Sequence, residues 1–216
     1  MTDRHEPALV LAVGGGLAAV RTDAGEERLA KFAGRLDRRP VAGDRVELLL
    51  EADDGGRIDV IAPRSTELRR QQRMRSEGER AMREQVLAAN AECVLIVAAD
   101  EPPDAVLADY AAIGVPGVCI DARAADGADA VRALLAGRTA AVVGHSGVGK
   151  STLVNALTGG RQVTGAIHEL SGRGRHTTTT ATWLDMPGGG ALIDLPGIRS
   201  FSLAGISPDD LAVAFA

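Results

Sequence analysis

The chain has 216 residues, of which 45% are apolar and only 2% aromatic, and its net charge is −5. That is enough apolar material for one large core or two smaller ones, and the mild acidity gives no bulk attraction toward nucleic acid. No apolar run approaches the length of a membrane span, and Met1-Thr2-Asp3-Arg4-His5-Glu6 lacks a signal-peptide pattern, so a cytoplasmic protein with no membrane partner is the expectation. Cys93 and Cys119 sit in apolar runs that read as buried strands, and the four histidines are scattered, so neither a disulfide nor a zinc site is expected.

From the N-terminus, the pattern predicts short strands over 9–13, 17–21, 27–32, 44–50 and 57–61, divided by the turns Gly14-Gly15-Gly16 and Asp53-Asp54-Gly55-Gly56. Five short strands in so few residues predict a small all-β OB-fold barrel over 1–63, a common carrier of RNA-binding faces. Phe32 is its one aromatic residue, so RNA contacts there would run through phosphates and not through base stacking.

Residues 64–90 read as an arginine-rich linker, with 63–84 polar, aperiodic and suited to ordering on a partner. Two basic clusters stand out: Lys31, Arg35, Arg38, Arg39 and Arg45, then Arg64, Arg69, Arg70, Arg73, Arg75, Arg80 and Arg83. They suit phosphate contacts, or equally a solvated basic face balanced by Glu67, Glu77, Glu79 and Glu84.

Strands over 93–98, 115–120 and 140–143 then alternate with helices over 104–112 and 128–135, the signature of an α/β domain. The last strand runs into Gly144-His145-Ser146-Gly147-Val148-Gly149-Lys150-Ser151-Thr152, which satisfies G-x-x-x-x-G-K-[ST], and a helix follows over 152–157. Glycines there let backbone N–H groups converge on phosphate oxygens at a helix N-terminus. Lys150 would reach the β and γ phosphates and Ser151 would offer its hydroxyl to Mg²⁺. Only Lys31 and Lys150 are lysines among the 24 basic residues, so a compact point charge stands where a phosphate loop needs one. The plain alternative is a glycine-rich turn before a helix.

Beyond the loop, Gly172-Arg173-Gly174-Arg175-His176-Thr177-Thr178-Thr179-Thr180 reads as a switch whose threonine hydroxyl completes the Mg²⁺ shell, or as the approach to an edge strand over 180–184. A hairpin around Met186-Pro187-Gly188-Gly189-Gly190 ends in Asp194-Leu195-Pro196-Gly197. There Asp194 would hold the metal through water and the Gly197 N–H would approach the γ-phosphate. Ile198 follows where many GTPases carry a water-orienting glutamine, which leaves His176 as the best-placed group for that task, or as an exposed loop histidine. These GTPase features disfavour a kinase or ATPase.

The order of a β-barrel, Gln85-Val86-Leu87-Ala88-Ala89-Asn90, GHSGVGKSTLVNAL, GRGRHTTTT and DLPGIRSF resembles the circularly permuted GTPases of the RsgA (YjeQ) type, which act in assembly of the small ribosomal subunit. The resemblance implies a circularly permuted α/β P-loop GTPase domain over 91–216, which explains the late loop. It implies GTP/GDP and Mg²⁺ as cofactors, the small subunit and its rRNA as partners, and a monomer. Phosphates would lie on Gly144, His145, Ser146, Gly147, Val148, Gly149, Lys150, Ser151, Thr152 and Gly197, Mg²⁺ on Ser151, Thr177, Thr178 and Asp194, and His176 would be catalytic.

Two departures stand beside it. No N-K-x-D lies between the strand at Val94 and the loop, a short connection over 100–104 replaces the family's guanine-reading strand, and Cys119-Ile120-Asp121-Ala122 aligns with the later S-A-type loop. The loss of a whole βα unit would leave its neighbours in the sheet unpaired. The chain also stops at Ala216 where the family continues into a zinc domain, so zinc is not expected and the GTPase domain is incomplete at that end. The alternative function is a nucleotide-binding module with lost base specificity and little or no hydrolysis.

Overall fold

The computed structural model describes residues 5–50, 55–73, 82–98, 104–112, 117–124, 126–160, 165–172 and 181–196. The first five strands, β1 (His5–Gly14), β2 (Leu17–Thr22), β3 (Glu27–Phe32), β4 (Arg45–Leu50) and β5 (Gly56–Ile61), close on themselves in the order β1-β2-β3-β5-β4-β1. The closure uses one parallel pairing, β3 with β5, and four antiparallel ones, which is the expected OB-type barrel. Alternation explains its apolar strands: Ala8, Val10, Ala18 and Val20 face the barrel interior with Leu48 and Ile58, while Leu9, Leu11 and Ala19 point outward. The outward set is covered by Ala166, Ile167 and Leu170 of helix α4 (Gly165–Gly172), so β1 is apolar on both faces because both are buried.

Residues read as an aperiodic linker instead hold a ladder. Strands β6 (Glu67–Arg73) and β7 (Met82–Ala89) pair antiparallel from Glu67↔Ala89 to Arg73↔Met82. Polar side chains hid it, since a two-stranded ribbon needs an apolar face only where it docks. That docking lies at its base, where Leu87 and Ala88 are buried and Leu68 packs beside them.

Strands β8 (Cys93–Val97), β9 (Thr139–Gly144), β10 (Thr182–Asp185) and β11 (Ala191–Asp194) form the second half, in the order β10-β11-β9-β8. Parallel β8/β9 and β9/β11 pairings leave each strand two faces to bury. Ala140, Val142 and Leu192 meet Val131 and Leu135 at helix α2 (Gly127–Leu134) and Leu153, Val154 and Leu157 of helix α3 (Lys150–Thr158). Ala141, Val143 and Ile193 meet Leu87, Ala88 and Ala42 on the other side. Helix α1 (Asp104–Ala112) forms as expected.

The strand expected over 115–120 is not present among the described residues: 117–121 join no ladder, Val118 is 67% exposed and Cys119 is exposed, not a core thiol. Among the described residues β8 is the edge of the sheet, and 117–121 do not pair with it. Cys93 does lie in a strand, half-buried, with desolvation holding its thiol above the usual cysteine range.

Barrel and nucleotide sheet are one continuous nine-stranded sheet. Val10 still donates to the Asp44 carbonyl and accepts the Gly43 N–H, and beyond it the β4-facing edge of β1 takes another strand, with Ala12 paired to Thr182 of β10. Strand β10, expected at an edge, is therefore interior. A single transverse row runs Ala12, Thr182, Asp194, Val142, Leu95 from the barrel to β8. Arg21 of the barrel reinforces the junction with a 2.7 Å ion pair to Asp185, whose carboxylate also accepts the Trp183 indole N–H at 2.9 Å.

A buried polar knot holds the hairpin against the barrel. Arg64, grouped by sequence with the phosphate-contacting candidates, is only 4% exposed, so it is withdrawn from that role. Its Nε and Nη2 donate to the Asp44 carboxylate at 2.7 and 2.8 Å, and Nη1 donates to Glu67 at 3.1 Å. Asn90, at φ 58°, donates to the Gly43 carbonyl at 2.9 Å and accepts the Ser65 N–H at 2.8 Å. Gly43 has φ 90°, and a Cβ there would lie 2.1 Å from the Ala89 carbonyl oxygen, so the loop closes only around glycine.

Candidate nucleotide site

The site begins where β9 ends. Register pairs Val97 with Gly144, and a Cβ on Gly144 would sit 2.9 Å from the Val97 carbonyl oxygen, so the first loop glycine is what lets β8 lie alongside. The chain turns through Gly147 and Gly149 at φ 83° and 97°, left-handed conformations that strain a residue with a Cβ. Gly149 is the N-cap of α3 and its carbonyl accepts the Leu153 N–H at 3.0 Å, so helix backbone donors face the loop without a side-chain cap.

Residues that carry no loop chemistry fix the loop's position. Leu153, Val154 and Leu157 bury one face of α3, each contributing on the order of 1.5–3 kcal/mol by leaving water. Arg132 of α2 donates to the carbonyls of Ala156 and Leu157, satisfying the helix's far end. Ser151 and Thr152 are exposed beside the loop, as are His145 and Ser146, and the His145 carbonyl accepts the Val148 N–H at 3.3 Å.

Strand β11 brings the second part. Its parallel register sets Asp194 opposite Val142, and the Leu195 N–H donates to the Val142 carbonyl at 3.2 Å. This carries the Asp194 carboxylate to Lys150, whose Nζ donates to Oδ1; the two side chains are 11% and 17% exposed. Sequence reasoning had both residues but not their pairing, although Asp194 is the acidic end of the strand beside the loop. Hydroxyl and carboxylate oxygens are the hard donors that Mg²⁺ takes, and it commonly uses one or two protein oxygens with phosphates and water for the rest. Ser151 and Asp194 fit that pattern, and no cluster of three or more acidic, histidine or cysteine ligands occurs among the described residues. His176, Thr177, Thr178 and Gly197 lie outside the described residues.

Between α1 and α2, Asp121 accepts the Arg123 backbone N–H at 2.9 Å, which, with the Arg123 guanidinium, holds its carboxyl below the usual aspartate range. Asn90, without a partner lysine in the sequence, is committed to the knot at Gly43 and Ser65.

The model of the RsgA GTPase family matches residues 99–204. Small ribosomal subunit biogenesis GTPase RsgA of Ectopseudomonas mendocina is 46% identical over 113 residues, 52% of this chain and 33% of that protein. The protein of the same name from Streptomyces coelicolor is 45% identical over 118 residues, 51% of this chain and 32% of the other. The match thus spans about a third of those relatives' own length. Among solved structures, YjeQ from Thermotoga maritima superposes with a TM-score of 0.67 at 21% identity, covering 98% of this chain and 82% of that one. YloQ, described as a circularly permuted GTPase, gives 0.57 at 19% identity, covering 98% and 78%. The fold is that of the circularly permuted GTPases with an OB-like barrel in front.

Proposed function

Because the chain belongs to the RsgA GTPase family, we propose that it binds GTP, hydrolyses it to GDP and assists late maturation of the small ribosomal subunit in the cytoplasm by docking on the subunit and its rRNA. The observation that carries this reading is the convergence of the glycine loop, the α3 N-terminus, Lys150 and Asp194 at the ends of two parallel strands. Backbone donors and the lysine would take the phosphates. Ser151 and Asp194, with Thr177 and Thr178 from the switch, would hold Mg²⁺, which neutralises phosphate charge when bound. Gly197 would approach the γ-phosphate and His176 would orient the attacking water. The barrel, joined to Asp194 through the row that starts at Ala12, would be the RNA-docking part of a monomer.

One observation favours a second reading, a nucleotide-binding module without base discrimination. Among the described residues the sheet ends at β8 and 117–121 join no ladder, so none of them supplies a base-reading strand beside β8. A competition series of GTP, GDP and ATP against a fluorescent nucleotide separates the two. Strong guanine preference and hydrolysis stimulated by small subunits support the GTPase; equal affinities for GTP and ATP support the module. Lys150→Ala is expected to abolish binding in either case, and undiminished binding by that variant overturns both.

A further inference from the structure

The ion pair between Lys150 and Asp194 has a role that neither phosphate binding nor metal binding requires. Its two backbones have no freedom to part. Asp194 is fixed in the sheet between Thr182 and Val142, and Lys150 is fixed at the start of a helix whose Leu153, Val154 and Leu157 are buried. Only side-chain rotation opens the pair, and both side chains are mostly shielded from water. We propose that Asp194 is an internal competitor for the phosphate: it neutralises Lys150 while the loop is empty, so that a nucleotide binds by exchanging carboxylate for phosphate. This rests on the nucleotide reading above.

The exchange has an electrostatic consequence. Once Lys150 turns to a phosphate, the Asp194 carboxylate is left beside that anion with its cation gone, a repulsive arrangement in a partly dry site. A divalent cation relieves it by taking the freed carboxylate. Nucleotide affinity is therefore coupled to Mg²⁺ through Asp194, more strongly than in a loop whose lysine stands unpaired. Removing the carboxylate's charge should raise affinity in the absence of metal and erase most of the metal's benefit.

Two measurements test this. In titrations with a fluorescent GDP analogue, Asp194→Asn should bind about tenfold tighter than the parent in EDTA, the scale of one charge-assisted hydrogen bond no longer broken, and should gain little on adding Mg²⁺. Weaker or unchanged binding of the variant in EDTA overturns the proposal. The second readout needs no nucleotide. Lys31 and Lys150 are the only lysines, and Lys31 is exposed, so amine labelling followed by peptide mass spectrometry reports Lys150 against an internal reference. In the empty parent Lys150 should label more slowly than Lys31, and Asp194→Asn should raise the Lys150 rate alone; equal Lys150 rates in parent and variant overturn the proposal. Asp194→Ser serves as the second variant with the same expectations. A parent that binds no nucleotide under any condition would sink the nucleotide reading, while the labelling ratio would still test the pair.

Discussion

Ile58 and Ile96 are both strand isoleucines, yet the first is fully enclosed by the barrel and the second is 66% exposed on β8. The difference is one of closure. Every barrel strand has a partner on each side, so alternation sends one set of side chains into a sealed interior. The nucleotide sheet has no such closure: the layer of Ala42, Leu87 and Ala88 covers Ala141, Val143 and Ile193 but stops before Val94 and Ile96, which share rows with Ala141 and Val143. The barrel completes itself, whereas the nucleotide sheet is completed on one side by the barrel and, among the described residues, is left open on the other.

Breaking the link between the two regions should have the largest effect. Arg64→Ala strands the fully buried Asp44 carboxylate, and removal of one partner from a buried pair costs about 3–5 kcal/mol. Urea unfolding followed by fluorescence suits the test because Trp183, the sole tryptophan, packs beside both the α4 layer and the Ala42 layer. A loss under 1 kcal/mol would mean that barrel and sheet are held by the β1/β10 junction and not by the knot.

The same substitution made in each region sharpens the contrast. Ile58→Ala removes a fully buried side chain and should destabilise by about 2–5 kcal/mol, whereas Ile96→Ala should stay within about 0.5 kcal/mol. Paired denaturation curves decide it. A large loss at Ile96 would show that something covers the β8 edge in solution.

These contrasts mark how far the sequence could be read. Barrel strands were legible because alternation and glycine turns are local signals, and the strand, glycine-rich turn and helix over 139–158 were legible for the same reason. The β6/β7 ladder was not, since Arg70, Gln71 and Gln72 carry no apolar period and the pairing depends on docking at Leu87 and Ala88. Arg64 misled for a similar reason: an arginine in a basic run gives no sign that Asp44, twenty residues earlier, will enclose it. Helix α4 did leave a signal, Ala166, Ile167 and Leu170 at helical spacing between Gly165 and Gly172. The strand expected over 115–120 differs in the opposite sense: its local pattern was adequate, but its described part, 117–120, joins no ladder.

The smallest expected effect concerns the rim of the knot, where Glu67 receives Arg69 at 2.6 Å and Arg64 at 3.1 Å. The Arg69 hydrogen bond, and after it that of Arg64, holds the Glu67 carboxyl below its ordinary value of 4.5 against the opposing effect of burial. A carboxyl whose value is depressed by folding contributes stability that is fully present above its unfolded value and is lost as pH falls through the folded one. Glu67→Gln should therefore be less stable than the parent at neutral pH by under about 1 kcal/mol, because the pair is partly open to water. The gap should begin to close only below pH 4.5. Denaturation midpoints of parent and variant at neutral and acid pH measure it. A gap unchanged on acidification would mean that Glu67 acts through packing against Arg64 and not through charge, and would reduce the knot to its Asp44 half.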